Sequence, residues 1–288
     1  NRGNYYDVEI TKGQEASDII YEELQKDKPS LICRFGGYEV LPPLRNFYKK
    51  GIIMPPYIKK VMERNTGFFP ATTKNLKKFG KMEFDLCKDI DILGCANWLC
   101  EAETKYKYCK NAKFVTIGNI CPIKDDKAWS RCLEGKKVLV IHPFVDSFRK
   151  QYEEKRELLF KDPNILPKFE LLTYKAVQSI GEAKNYLPYK DWFEALDKMK
   201  EDISKIDFDI AIIGAGAYGI FLAHHCKMIG KKAVHMGGVT QMLFGVKGRR
   251  WLVEDTSLLD RVNIEEFISP NQSEVPKDFK SVEEGCYW

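Results

Sequence analysis

Ile210-Ala211-Ile212-Ile213-Gly214-Ala215-Gly216-Ala217-Tyr218-Gly219 is the stretch that decides the fold. Four consecutive apolar residues suit a strand with both faces covered, three glycines then interrupt the run, and Ala217 to Ile229 continues at helical spacing. Working outward, the same rhythm recurs. Short apolar runs at Ile90 to Gly94, Phe114 to Gly118, Val138 to His142, Phe169 to Thr173 and Ala233 to His235 alternate with amphipathic stretches, the clearest being Val145 to Phe160 and Asp191 to Ile206. Upstream, residues 14 to 27 read as a helix and Ser30 to Phe35 as a strand, broken by Gly36-Gly37. Helix-like stretches follow at Glu39 to Lys50, Tyr57 to Glu63 and Thr73 to Lys88. The pattern predicts an α/β, Rossmann-like domain: a mostly parallel sheet flanked by helices, with a small helical insertion near the first strand. Residues 1–288 read as one domain with a core of about 15–252. Residues 253–288, with Pro270, Pro276 and little periodicity, read as an irregular tail packed over it. The absence of an initiating Met suggests a domain cut from a longer protein.

Composition excludes several classes. The formal charge of +5 is spread among acids and forms no basic block, so no nucleic-acid partner is expected. No run reaches the roughly 18 apolar residues of a membrane span, and no secretory signal pattern opens the chain. The nine cysteines include no Cys-x-x-Cys pair; Cys33 and Cys226 lie in apolar runs, as buried reduced thiols of a cytoplasmic protein would. Gly-x-Ser-x-Gly, Walker A and His-Glu-x-x-His motifs are absent.

In an open parallel sheet, ligands sit beyond the strand C-termini, which ranks Arg34, Glu39, Asn97, His142, Lys175, the Gly214 to Gly219 turn, and His235 with Gly237 and Gly238. Gly214-x-Gly216-x-x-Gly219 follows a strand and opens a helix, a context suited to a nucleotide diphosphate, to a dinucleotide, or to tight helix packing alone. The acid that a dinucleotide site places about 20 residues on is missing, since the next strand ends in His235-Met236-Gly237-Gly238; no nicotinamide or flavin is expected. Arg34 and Glu39, across Gly36-Gly37, could grip phosphate and serve as cation ligand or base, or form a surface ion pair. His142 and His235 could donate to phosphate or exchange protons near neutral pH, or be satisfied by the backbone; His224 and His225 read as packing residues. Lys247-Gly248-Arg249-Arg250-Trp251 could clamp a diphosphate or form a solvated loop.

Taken in order, Ser30 to Val40, Val138 to Phe144, Lys175 to Gln178, Asp209 to Gly219 and His235 to Trp251 resemble the GT-D-type glycosyltransferase-like domains of bacterial polysaccharide assembly, over about residues 15 to 252. The resemblance implies a hexosyltransferase that uses a nucleotide sugar, commonly a UDP-hexose, with a glycan or lipid-linked acceptor and often a divalent cation, manganese or magnesium. It further implies a cytoplasmic protein, at or near the inner face of the cytoplasmic membrane, with room for a neighbouring transferase domain. Carried onto this chain, Glu39 is base or cation ligand and His142 a second catalytic candidate. Arg34, Gly36, Gly37, Asn97, Lys175, Gly214, Gly216, Tyr218, Gly219, His235, Gly237, Gly238, Gln241, Lys247 and Arg249 become the nucleotide-sugar site. The family's Asp-x-Glu pair is incomplete, because Gly37 stands where the Asp belongs. Two other readings remain: a catalytically weak sugar-nucleotide or glycan-binding module, and an NAD-linked enzyme.

Overall fold

A computed structural model describes residues 9–39, 54–96 and 107–288. Its strands are β1 (Ser30–Arg34), β2 (Ile92–Cys95), β3 (Lys113–Thr116), β4 (Lys137–His142), β5 (Glu170–Lys175), β6 (Ile210–Ile213) and β7 (Lys232–His235). They form one seven-stranded sheet in the order β3-β2-β1-β7-β6-β4-β5, and every neighbouring pair is parallel. The central strands β1, β4, β6 and β7 are buried nearly end to end, whereas the edge strands β3 and β5 carry exposed or half-buried positions. That contrast is why the central runs read as continuously apolar.

Successive side chains alternate between two helical layers. Leu31, Cys33, Leu93, Leu139, Ile141, Ala211, Ile213 and Ala233 face α2 (Pro56–Thr66), α3 (Thr73–Cys87), α5 (Trp192–Ile203) and α6 (Gly219–Met228). Ile32, Ile92, Val138, Val140, Ile210, Ile212 and Val234 face α1 (Gly13–Gln25), α4 (Val145–Lys155) and α7 (Thr240–Leu243). The helices that follow β1 therefore complete a layer and share its core: Ile58, Met62, Leu76 and Phe79 pack with Trp192 and Phe221. Thr72 and Asp191 cap α3 and α5 by accepting backbone N–H bonds from Asn75 and Glu194. Of the helix expected from Glu39 to Lys50, all but Glu39 lies outside the described residues.

Residues 256–285 run through five 3-10 turns, irregular as the sequence suggests. They are nonetheless tied down. Buried Glu274 accepts the Asp146 and Ser147 backbone N–H groups at the start of α4, where the helix dipole favours an anion. The eight cysteines among the described residues are buried thiols. No helix among those residues is long and apolar enough to cross a membrane.

Candidate functional site

Adjacent central strands send the chain to opposite layers. After β1 and β6 it enters the α2, α3 and α6 side; after β7 and β4 it enters the α7 and α4 side. Backbones diverge at each such boundary, and a crevice opens at the strand C-termini. Here three boundaries lie side by side, and a pocket of about 410 Å³ occupies them. Arg34, Gly36, Gly37 and Glu39 enter it from β1, His142 from β4, Gly214 and Gly216 from β6, and His235, Gly237, Gly238 and Gln241 from β7.

Each turn is shaped by what packs on it. Buried Phe35 anchors the β1 turn, and the Glu39 carboxylate folds back over Gly36 so closely that a methyl group there would overlap it. Burial pushes the Glu39 carboxyl above the usual carboxylate range; Arg34 opposes the shift and Glu283 adds to it. Across the sheet, the His142 ring packs on Phe144 and Phe148, with centroids 4.9 and 4.5 Å away. Its Nδ1 accepts the Phe144 backbone N–H at 2.9 Å, which leaves the proton of the neutral ring on Nε2. His235 is the opposite tautomer: its Nδ1–H donates to the Arg34 carbonyl at 3.1 Å, and Nε2 keeps its lone pair. Burial lowers both imidazoles to about 3, with the Arg34 charge helping at His235. Of the alternatives open for these residues, the backbone-satisfied one fits: both are held as neutral hydrogen-bonding groups.

The glycine turn after β6 is closely packed, as the tight-packing alternative of its sequence reading has it. Gly216 takes φ +49°, with the Thr66 carbonyl 2.9 Å from where a Cβ would sit. Gly214 is closed in by the Gly237 carbonyl, Thr240 and His142, and Gly219 lies under the His235 ring. Protein atoms account for the small residues at all three positions. Tyr218 is buried, stacks on Trp192 at 5.0 Å and shares a 3.0 Å hydrogen bond with Ser179 Oγ, and it does not line the pocket. The turn after β7 is packed by side chains. Gly237, at φ +70°, lies against the Arg34 guanidinium, and Gly238 lies under the Tyr287 ring. Gln241 Nε2 donates to the carbonyls of Lys247 (2.8 Å) and Tyr287 (3.0 Å), while its buried Oε1 has no hydrogen-bond partner among the described residues.

Several predicted residues are placed elsewhere. Lys175 is exposed and pairs with Asp146 at 2.9 Å. Lys247 is outside the lining, and Arg249 pairs with Glu254 and Glu284. Asn97 lies outside the described residues. Conversely, the pocket takes Asn65 and Thr66 from the end of α2, Gln178 and Ile180 from beyond β5, Arg250, and Glu283, Tyr287 and Trp288 from the tail. Of the Lys247 to Trp251 cluster, Arg250 lines the pocket in place of Lys247 and Arg249, and nothing periodic marks the tail residues. No family model matches the chain, and neither a curated protein nor a solved structure matches it.

Proposed function

We propose that this pocket binds a nucleotide-diphosphate sugar, a UDP-sugar by the resemblance to GT-D-type domains, and that the chain transfers the sugar to a hydroxyl of a glycan or lipid-linked acceptor. One observation carries the reading: at the ends of four parallel strands meet two guanidiniums (Arg34, Arg250), a carboxylate held above its usual range (Glu39), amides (Asn65, Gln178) and aromatic rings. Guanidiniums match phosphate oxygens in charge and geometry, while amides and ring faces suit sugar hydroxyls and a base. In the transfer, the acceptor oxygen bonds to the anomeric carbon, the bond from that carbon to the phosphate oxygen breaks, and the electron pair leaves on the diphosphate. Arg34 offsets the leaving charge, and Glu39 takes the acceptor proton. A raised carboxyl pKa makes Glu39 a stronger base than an exposed glutamate. His142 and His235, neutral and of opposite tautomers, offer a donor and an acceptor.

The divalent cation implied by the resemblance fits these side chains poorly. Gly37 brings no carboxylate, Glu283 is engaged by Arg250, and among the described residues no three His, Cys, Asp or Glu side chains converge as ligands. No step is assigned to a cation.

Calorimetry with UDP, GDP, CDP and TDP sugars, with and without manganese, tests the reading. At least one donor is expected to bind, and Glu39→Gln to keep that affinity while donor hydrolysis falls about 100-fold. Failure of every donor to bind sinks the proposal. A binding module without catalysis is the second reading, favoured by Gly37; donor binding by the wild-type chain with no hydrolysis would select it.

A further inference from the structure

The three cations of Lys247-Gly248-Arg249-Arg250-Trp251 are sorted by a π-helical turn, Arg250–Glu254. Such turns are uncommon and concentrate at functional sites. Arg249 is spent on surface acids, with Glu254 at 2.9 Å and Glu284 at 3.2 Å. Arg250 turns into the pocket and is held in place on every side. Its backbone N–H donates to the Cys286 carbonyl at 3.0 Å, its Nη1 donates to the Tyr287 hydroxyl at 3.2 Å, and its guanidinium lies over the Tyr287 ring, 5.0 Å from the centroid. Its Nε stands 4.0 Å from the Glu254 carboxylate, and its Nη2 is paired with Glu283, which also accepts from the Cys286 thiol at 3.2 Å.

We propose that Arg250 is the second phosphate-binding guanidinium of the pocket, and that Glu283 is an internal carboxylate holding the place an incoming phosphate takes. Ligand binding then exchanges one anion for another and releases the 3-10 turn Glu283–Gly285, while Cys286 and Tyr287 go on holding Arg250. The inference rests on reading the pocket as a diphosphate site. Three observations favour exchange over a fixed ion pair. Carboxylate and phosphate present the same pair of acceptor oxygens to a guanidinium, and phosphate brings more charge. Glu283 and Glu284 occupy consecutive left-handed conformations (φ +44° and +57°), which side chains other than glycine adopt at a cost, so the turn relaxes when the pair opens. Glu283 also lines the pocket, near enough to the Glu39 carboxyl to add to its upward shift. Glu274, the tail carboxylate on the anion-favouring start of α4, lacks these features: it is buried, keeps negative φ within a capping box and lies outside the pocket.

The test uses inorganic pyrophosphate and the full chain. Calorimetry is expected to show Glu283→Gln binding at least fivefold tighter than wild type, Arg250→Gln at least tenfold weaker, and Arg249→Gln within twofold. Unchanged or weaker binding by a folded Glu283→Gln overturns the exchange, and equal losses at Arg249 and Arg250 overturn the assignment. Hydrogen exchange on the wild-type chain avoids any folding defect. The amides of Gly285 and Trp288, which donate to the carbonyls of Val282 and Gly285, are expected to exchange faster with pyrophosphate bound; equal or slower exchange overturns the release. Donor sugars that bind without altering these amides would leave the functional reading standing and remove this one. Pyrophosphate effects without binding of any nucleotide sugar would do the reverse.

Discussion

The turns after β6 and β7 are near twins in sequence and are packed by different groups. Each follows a central strand, places its left-handed glycine early (Gly216, Gly237), passes through a 3-10 turn and opens a helix. In the β6 turn the space created by glycine is filled by the Thr66 and Gly237 carbonyls and by the two histidines. In the β7 turn it is filled by the far end of the Arg34 side chain and by a ring of the tail. A glycine-rich strand-to-helix turn is therefore a statement about close approach, and the approaching atoms are backbone carbonyls and imidazoles in one case and the Arg34 side chain and a tail ring in the other.

The largest effect that would break this contrast is acidification. His142 packs on Gly214 and His235 on Gly219, and both imidazoles stay neutral in the fold down to about 3, against 6.5 when exposed. Between those values the unfolded chain binds more protons than the folded one, so stability is complete above about pH 6.5 and declines as pH falls toward 3. Each tenfold difference in proton affinity between the two states is worth about 1.4 kcal/mol, so the pair accounts for a loss on the order of several kcal/mol, measurable by urea unfolding at stepped pH. Imidazole resonances of either residue titrating near 6.5 would contradict the packed β6 turn.

Next is Gly214→Ala, whose methyl group would meet the Gly237 carbonyl at 2.5 Å; an overpacking loss of about 3 kcal/mol is expected in denaturant unfolding. Gly237→Ala separates the turns more sharply. The atoms nearest its methyl group belong to the Arg34 side chain, with Nη1 at 2.7 Å, so stability should fall by about 1–2 kcal/mol, mostly from the positive φ, while pyrophosphate affinity falls about tenfold through displaced Arg34. Equal losses of stability in the two alanine variants would erase the distinction. Smallest is Tyr218→Phe, which removes the bond to Ser179 at about 1 kcal/mol and should leave pyrophosphate affinity unchanged.

Much of the fold was legible because it is written in short-range pattern. Every run from Ser30 to His235 read as a strand is one, the sheet expected to be mostly parallel is wholly so, and the strand-end rule led to Arg34, Glu39, His142, Gly214 and His235 around one pocket. The site was legible less evenly. Lys175 and Tyr218 stand at strand ends or turns yet are consumed by Asp146 and Ser179, and a residue's rank along the chain does not reveal which partner reaches it first. Arg249 and Arg250 are equivalent in any window of sequence.

What the sequence determined by itself is the sheet, its covered faces and the end at which polar loops gather, since continuous apolar runs must be buried on both sides and glycine must stand where backbones crowd. What the tertiary structure alone decided is which groups meet there. Arg250 enters the pocket because Cys286 and Tyr287, more than thirty positions on, fix its backbone and guanidinium; Glu283 opposes it because the tail folds across the strand ends. Contacts of that reach depend on how distant segments pack, and no local periodicity encodes them.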